Sequence, residues 1–255
     1  MHNFAVIVDI GNTMVSIGFF VDHKYNSRID ILSTKEDVIK SKNKFISFLK
    51  EHSFYKEDVT GGLICSVVPS LNDDVSNLIF EALNIKLPIM DKSYHYDIDI
   101  DVDDKDEVGG DLLADAIAAK HLYSYPAIII DLGTVTKNIV LDEKGTFIGV
   151  SFFPGVKLCM DVMKEKTALL PEISLTKKPD KLIGNNTIEA MQSGVYYGTL
   201  SMVSKMASLV ESKFSQPVSK ILTGGNSYLF KDEIKDFIID PELVLKGIYF
   251  IYINN

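Results

Sequence analysis

Residues 6–13 read VIVDIGNT, and residues 128–135 read IIIDLGTV. Both segments share one layout: an apolar, β-branched run typical of a buried strand, then Asp, Gly and a hydroxyl residue, then a returning strand. The two aspartates, Asp9 and Asp131, are separated by about half of the 255-residue chain. This internal repeat predicts two homologous halves that face each other across a cleft, with one carboxylate from each half pointing into it.

The rest of the chain alternates between strand and helix patterns, which is typical of the α/β class. Strands are predicted at residues 4–10, 14–21, 61–67, 127–131, 138–141, 147–150 and 221–223. Helices are predicted from Thr34, which forms a capping-box pattern with Asp37, from Pro69, at 112–123 and at 187–213. The acidic run DIDIDVDDKDE at 97–107 is typical of a solvated loop, and it suggests a division into residues 1–108 and 109–255.

Composition and charge restrict the class of protein. The formal net charge is −9, with 26 basic and 35 acidic residues, so we expect no nucleic-acid partner. Only one basic residue, Arg28, is an arginine, which leaves one candidate for a bidentate guanidinium contact. Apolar runs are too short to span a membrane, and Asp9 interrupts any signal-peptide core, so a cytoplasmic location is expected. Cys65 and Cys159 form no CxxC pair, and they predict neither a zinc site nor a redox centre.

The Asp-Gly turn at residues 9–13 has the chemistry of a phosphate site. Gly11 allows backbone N–H groups to approach a ligand, and Asn12 and Thr13 add neutral donors that suit phosphate oxygens. Asp9, at the end of the strand, is suited to hold a hydrated Mg²⁺. For a single copy an ordinary hairpin is the better interpretation, whereas two copies favour a nucleotide phosphate site.

A third glycine turn, Gly224-Gly225, follows the last predicted strand and could lie close to the adenosine of a bound nucleotide. The chain contains no GxxxxGK[ST], GxGxxG or GxSxG motif, which excludes P-loop, Rossmann and α/β-hydrolase sites. The nucleotide site would therefore be of another type.

Several sequence blocks occur in the order found in type III pantothenate kinases, a family of the actin/Hsp70/sugar-kinase superfamily. They are DIGNT at 9–13, SVVPSL at 66–71, VGGD at 108–111, DLGT at 131–134, FPGVKL at 153–158, EKTALLP at 165–171 and NNTIEAMQSGVYYG at 185–198. The chain resembles this family over nearly its whole length. The resemblance implies an α/β fold of two ribonuclease H-like halves facing a nucleotide cleft.

The same resemblance implies ATP-dependent phosphorylation of pantothenate to 4′-phosphopantothenate, the first step of coenzyme A biosynthesis. ATP with Mg²⁺, and a monovalent cation (K⁺ or NH₄⁺), are the implied cofactors. The expected ATP-binding residues are Asp9, Ile10, Gly11, Asn12, Thr13, Met14, Val15, Ser16, Thr134, Gly224 and Gly225. The expected substrate-binding residues are Gly109, Gly110, Asp111, Leu112 and Thr187. Asp111 matches the catalytic base, Asp131 matches the carboxylate that holds the monovalent cation, and Asp9 would contact magnesium through ATP.

A homodimer is also implied by the resemblance, with the predicted helix at 187–213 near the interface. The apolar residues of that helix lie on more than one face, as expected for a buried element with an additional partner. They are Val195, Tyr196, Leu200, Val203 and Met206.

Two departures from the family pattern affect the substrate side and the cation site. Leu112 stands where the family has Arg, so a cationic contact to pantothenate is lost. Lys137 stands six residues after Asp131, where a neutral Thr is usual, and its ammonium could occupy the place of the cation or simply point to solvent. We therefore expect a weakened potassium dependence. Two alternatives stay open: a weak or inactive nucleotide-binding paralogue with a regulatory role, and a kinase for another small hydroxyl compound.

Overall fold

The computed structural model describes residues 3–255, which form two compact units. Unit 1 comprises residues 3–97, 104–118 and 244–255, and unit 2 comprises residues 98–103 and 119–243. This division differs from the predicted halves 1–108 and 109–255. The reason is that residues 104–118, which contain the start of a helix, and the C-terminal helix both belong to unit 1.

Unit 1 is built on a four-stranded sheet with the order β3-β2-β1-β4. Its strands are β1 (Phe4–Ile10), β2 (Met14–Val21), β3 (Lys24–Leu32) and β4 (Val59–Ser66). β1 pairs antiparallel with β2 and parallel with β4, and β2 pairs antiparallel with β3. Strand β3 was not predicted from the sequence.

Helices cover the sheet of unit 1. They are α1 (Lys35–Lys40), α2 (Lys42–Glu51), α3 (Asn72–Leu83), the first part of α4 (Gly110–Leu122) and most of α7 (Leu243–Ile253). Val6, Val8 and Ile10 of β1 belong to one apolar core cluster with buried residues of α1, α2 and α3. On the other side, α7 packs so closely on β2 that a Cβ at Gly18 would lie 3.0 Å from Leu245 Cδ1.

Unit 2 contains a five-stranded sheet with the order β7-β6-β5-β8-β9. Its strands are β5 (Ala127–Leu132), β6 (Val135–Leu141), β7 (Phe147–Pro154), β8 (Ser219–Thr223) and β9 (Ile238–Ile239), and its helices include α5 (Val156–Lys166) and α6 (Thr187–Glu211). β5 pairs antiparallel with β6 and parallel with β8. The two sheets thus have the same order of three antiparallel strands and one parallel strand, which confirms the repeat predicted from the sequence.

The starts of two predicted helices follow from their capping residues. The Thr34 hydroxyl accepts a hydrogen bond from the Asp37 N–H at 3.1 Å, and the Asn186 side chain accepts one from the Glu189 N–H at 2.9 Å. Each bond satisfies a backbone donor that the first helical turn leaves without an intrahelical partner.

The five apolar residues of α6 that suggest an additional partner pack within unit 2. Val195, Tyr196 and Val203 are buried in the core cluster of this unit, and Leu200 and Met206 pack against the same cluster. The width of the apolar surface on α6 is therefore explained without a second chain. Across residues 3–255, no helix combines the length and hydropathy needed to cross a bilayer.

Candidate active site

The first Asp-Gly turn closes the β1–β2 hairpin of unit 1. The Gly11 N–H donates to the Met14 carbonyl at 3.0 Å, which defines a tight turn over Asn12 and Thr13. Ser33, just after β3, fixes this turn from the side: its N–H donates to the Thr13 carbonyl at 3.0 Å, and its hydroxyl donates to the Gly11 carbonyl at 2.6 Å. The turn is therefore held in one shape before any ligand arrives. Ser33 was not among the predicted site residues, because β3 was not recognised.

Within the expected ATP-binding segment 9–16, the side chains divide into two groups. Ile10 and Val15 are fully buried in the core, so only their backbone groups are available to a ligand. Asn12 and Thr13 are exposed at the tip of the turn. Asp9 is half-buried, on the face of β1 opposite to the core-facing side chains.

Asp9 lies in a row of residues that crosses the sheet of unit 1. Its direct partners are Ser16 on β2 and Cys65 on β4, and Ser16 is in turn opposite Asp30 on β3. The Ser16 hydroxyl donates to Asp30 Oδ1 at 2.7 Å, and Arg28 Nε donates to Asp30 Oδ2 at 3.1 Å. The only arginine of the chain is thus engaged with a carboxylate on an edge strand.

Asp111 lies in the first turn of α4, in the same unit as the first hairpin. The preceding residue, Gly110, packs directly on β4: a Cβ there would lie 3.3 Å from Cys65 Sγ and would overlap Met90 Cε. Because Cys65 is the β4 partner of Asp9, this contact sets the start of α4 on β4, one strand away from Asp9 on β1. A carboxylate in the first turn of a helix is also favoured by the N-terminal dipole.

The residues around Asp111 differ in their access to solvent. Asp111 is half-buried, and its Oδ1 accepts a hydrogen bond from the Leu112 N–H at 3.0 Å. Leu112 itself is only 5% exposed, so this apolar side chain is packed within the protein and not on the surface.

The second Asp-Gly turn closes the β5–β6 hairpin of unit 2 and carries an ion pair. Asp131 is directly opposite Lys137 in the ladder, and Lys137 Nζ lies 2.8 Å from Asp131 Oδ2. Both side chains are largely buried, with 18% of Lys137 and 12% of Asp131 exposed. The interpretation that Lys137 points to solvent is therefore wrong. Thr134, in the turn itself, is exposed.

The third glycine turn packs against the second. Gly224 has a φ of +85°, and a Cβ there would overlap Asp131 Oδ1 and lie 2.7 Å from the Leu132 backbone N. Both the backbone angle and the space require glycine at this position. Asn226 fastens the two turns together, since its side-chain amide donates to the Leu132 carbonyl at 3.1 Å. In the sequence, the contact between the two turns is signalled by Thr-Gly-Gly-Asn at residues 223–226.

The structure thus assembles the predicted residues into two groups. Unit 1 brings together the segment 9–16 and the start of α4 with Gly109, Gly110 and Asp111. Unit 2 brings together Asp131, Thr134 and the Gly224-Gly225 turn. Thr187 is exposed at the first position of α6. Within residues 3–255, no cluster of three or more His, Cys, Asp or Glu side chains forms a ready metal site.

Comparison with solved structures identifies the fold. The activator of the 2-hydroxyisocaproyl-CoA dehydratase from Clostridium difficile, solved with bound ADPNP, matches with a TM-score of 0.56 at 14% identity, covering 99% of this chain and 94% of that chain. Component A of the (R)-2-hydroxyglutaryl-CoA dehydratase from Acidaminococcus fermentans matches with a TM-score of 0.53 at 13% identity, covering 98% and 97%. The fold is the mixed α/β fold of the actin/Hsp70/sugar-kinase-like ATPases.

Sequence comparison identifies the family. A family model described as type III pantothenate kinase matches residues 5–209. The type III pantothenate kinase of Dehalococcoides mccartyi (strain ATCC BAA-2266 / KCTC 15142 / 195) is 33% identical over 100% of this chain and 99% of its own length. That of Agathobacter rectalis is 31% identical over 96% of this chain and 95% of its own length. By the extent of these matches, the chain belongs to the type III pantothenate kinase family.

Proposed function

We propose that this protein transfers the γ-phosphoryl group of ATP to the primary hydroxyl of pantothenate, giving 4′-phosphopantothenate and ADP in coenzyme A biosynthesis. The observation that carries the proposal is the family match over residues 5–209. The two Asp-Gly hairpins support it, because each ends a buried strand in a turn suited to phosphate oxygens. We expect the enzyme to work in the cytoplasm.

Asp111 would act as the general base in this reaction. Its carboxylate would accept the proton of the pantothenate hydroxyl as the oxygen attacks the γ-phosphorus and the bond to ADP breaks. The remaining work of phosphoryl transfer is positioning and charge stabilisation. The rigid turn at Gly11–Thr13 would supply the first, since Ser33 fixes it through two hydrogen bonds.

Magnesium would arrive with ATP. Asp9 offers one half-buried carboxylate at a strand end, and Mg²⁺ that keeps most of its water needs only one or two carboxylates. The donor set at this hairpin therefore fits a nucleotide-bound Mg²⁺, which would neutralise phosphate charge. On the other unit, Gly224 packs tightly on the Asp131 turn, and the exposed Thr134 of that turn would contact the nucleotide.

A kinase for another small hydroxyl compound is the second candidate. The buried Leu112 favours it, because the family arginine at this position is lost and Arg28 is already paired with Asp30. The retained Asp9, Asp111 and Asp131 favour catalysis over a purely regulatory role.

We propose that the protein is a homodimer formed through unit 2. Large apolar side chains are exposed on this unit in β7 and in the irregular segment before α6, namely Phe152, Leu169, Leu182 and Ile183. Light scattering tests the proposal: a homodimer has twice the chain mass of 28.4 kDa, and a particle of 28.4 kDa at micromolar concentration would refute it.

The proposed reaction is tested by measuring ADP release with MgATP, with and without pantothenate, and by identifying the product by mass spectrometry. ADP release that depends on pantothenate, with formation of 4′-phosphopantothenate, is the expected result. A panel of small hydroxyl compounds belongs in the same assay. If one of them supports ADP release and pantothenate does not, the second candidate replaces the first.

A further inference from the structure

The ion pair at the second hairpin bears on the monovalent cation that the family resemblance implies. Lys137 Nζ lies 2.8 Å from Asp131 Oδ2, and both side chains are largely buried. The pair is also fixed by the fold, since the two residues are directly opposite each other on β5 and β6. The Asp131 carboxylate, which is expected to hold a cation, is therefore already paired with a positive charge that the chain itself supplies.

The residues around Asp131 do not fit a bound K⁺. One carboxylate oxygen, Oδ2, is taken by the ammonium of Lys137, and the other, Oδ1, is packed against the backbone of Gly224. A second positive charge beside Lys137 would be repelled at short range in a poorly solvated place. Within residues 3–255, no group of three or more Asp, Glu, His or Cys side chains could hold a metal ion, so no such group offsets this repulsion.

We propose that the Lys137 ammonium takes the place of the monovalent cation, so that phosphoryl transfer by this enzyme does not depend on K⁺ or NH₄⁺. An ammonium and K⁺ carry the same single charge, and the lysine offers three N–H donors where the ion would offer coordination to oxygens. Lys137 is a positioning residue in this proposal: it acts through Asp131 and the turn that follows. The proposal rests on the proposed kinase function.

A merely structural ion pair would give a different response to mutation. Loss of Lys137 would then lower stability, and every salt would act alike through ionic strength. If the ammonium replaces a cation, its removal recreates the cation site. Only ions close to K⁺ in size should then restore activity.

The test compares the wild type with Lys137→Thr, which restores the usual family residue, in KCl, NH₄Cl, NaCl and choline chloride at equal ionic strength. Lys220→Thr is the matched control, because Lys220 is another largely buried lysine of unit 2, paired with Glu211 and Asp236 away from the hairpin. The double variant Asp131→Asn/Lys137→Thr has neither charge, and it guards against misfolding caused by an unpaired carboxylate.

We expect the wild type and Lys220→Thr to have the same kcat in KCl and in choline chloride. Lys137→Thr should be nearly inactive in choline chloride and recover about tenfold or more in KCl or NH₄Cl, the scale of one lost charge contact in a preorganised site. The double variant should show no such rescue, because the carboxylate that would hold the ion is gone. Strong potassium activation of the wild type, or a folded Lys137→Thr variant without rescue, overturns the proposal.

Melting temperatures separate this proposal from the kinase function itself. A bound ion stabilises the folded state by mass action, so KCl should raise the melting temperature of Lys137→Thr above its value in choline chloride, and leave the wild type unchanged. If neither the wild type nor any variant phosphorylates pantothenate, the proposed kinase function is wrong. The potassium-specific shift in melting temperature then decides by itself whether Lys137→Thr has a cation site. Its absence from Lys137→Thr refutes the replacement of the cation.

Discussion

The two Asp-Gly hairpins have the same backbone plan but different neighbours. In unit 1 the row across the sheet is Asp30, Ser16, Asp9 and Cys65, and in unit 2 it is Phe152, Lys137, Asp131 and Thr223. The residue opposite the strand-end aspartate is therefore a neutral hydroxyl in the first copy and an ammonium in the second. One fold repeat has thus produced two strand-end carboxylates whose neighbours on the returning strand differ in charge.

This difference suggests separate tasks for the two carboxylates. The residue directly opposite Asp9 on β2 is the neutral Ser16, and the proposed function assigns the half-buried Asp9 carboxylate to MgATP. Asp131 is committed to Lys137 and to the packing of Gly224, so its work is to shape the turn. Mutations that affect one hairpin and not the other can test this division.

The largest effect is expected from Asp111, which belongs to unit 1. Asp111→Asn should lower kcat by about 10²–10⁴-fold, because the amide cannot accept the proton of the substrate hydroxyl. The matched control is Asp106→Asn, in the same segment, where the carboxylate pairs only with the exposed Lys92. Steady-state kinetics with circular dichroism measure the outcome, and a folded Asp111→Asn enzyme with a near wild-type rate would exclude Asp111 as the base.

The next effect concerns stability and differs between the two aspartates. Asp131→Asn removes the carboxylate charge that Lys137 Nζ contacts at 2.8 Å in a largely buried place, and it should lower the free energy of unfolding by about 3 kcal/mol. Asp9→Asn should cost less, since the facing Ser16 is neutral. Urea unfolding of both variants measures the difference.

A second substitution sharpens this comparison. Adding Lys137→Met to Asp131→Asn also removes the ammonium charge and should recover much of the lost stability, because the methionine fills a similar volume without a charge to desolvate. Equal losses for Asp9→Asn and Asp131→Asn would contradict the different roles assigned to the two hairpins.

Glycine substitutions give a smaller effect that again separates the turns. Gly224→Ala should destabilise by about 1–3 kcal/mol, because its φ of +85° is strained for alanine and its Cβ would collide with Asp131. Gly225→Ala is the control, since no atom lies within 4 Å of its Cβ position. Gly11→Ala, whose Cβ would lie 3.2 Å from the Met14 carbonyl oxygen, should fall between the two. Thermal unfolding ranks the three variants, and a Gly224→Ala protein as stable as Gly225→Ala would contradict the tight packing of this turn.

Much of the fold was accessible from the sequence because the repeated strand-Asp-Gly pattern is local. The strands carrying Asp9 and Asp131 and the helix starting at Thr187 are at or near the predicted positions. Strand β3 is hard to predict because KYNSRIDIL is mostly polar and lies at the edge of the sheet, where only Ile29 and Ile31 are buried. No element was assigned to α5 or α7 either, and the apolar run of α7 has no clear helical period.

The site was less accessible, because it depends on contacts between distant segments. The sequence predicts Asp111 in the second half of the chain, whereas the contact of Gly110 with Cys65 and Met90 holds the start of α4 in unit 1. The resemblance to the family marks Lys137 as unusual, but it does not predict that the Lys137 side chain points toward Asp131. That direction follows from the hairpin register, which sets Lys137 directly opposite Asp131.

The smallest effect is expected at Ser16, the counterpart of Lys137 in the first hairpin. Ser16→Ala removes one hydrogen bond, from the Ser16 hydroxyl to Asp30 Oδ1 at 2.7 Å. Asp30 keeps its contact with Arg28 Nε at 3.1 Å and remains partly exposed, so the loss should be only about 1 kcal/mol in urea unfolding. Ser16 is an expected ATP-binding residue, but its hydroxyl is engaged by Asp30, so its contact with the nucleotide would come from the backbone. The KM for ATP should therefore change little, because the turn is held by Ser33 and not by the Ser16 side chain. Ser33→Ala is the comparison variant, and it should raise the KM for ATP. If Ser16→Ala raises this KM as much, the hydroxyl opposite Asp9 takes part in binding the nucleotide. The two hairpins would then be more alike in function than their neighbouring residues suggest.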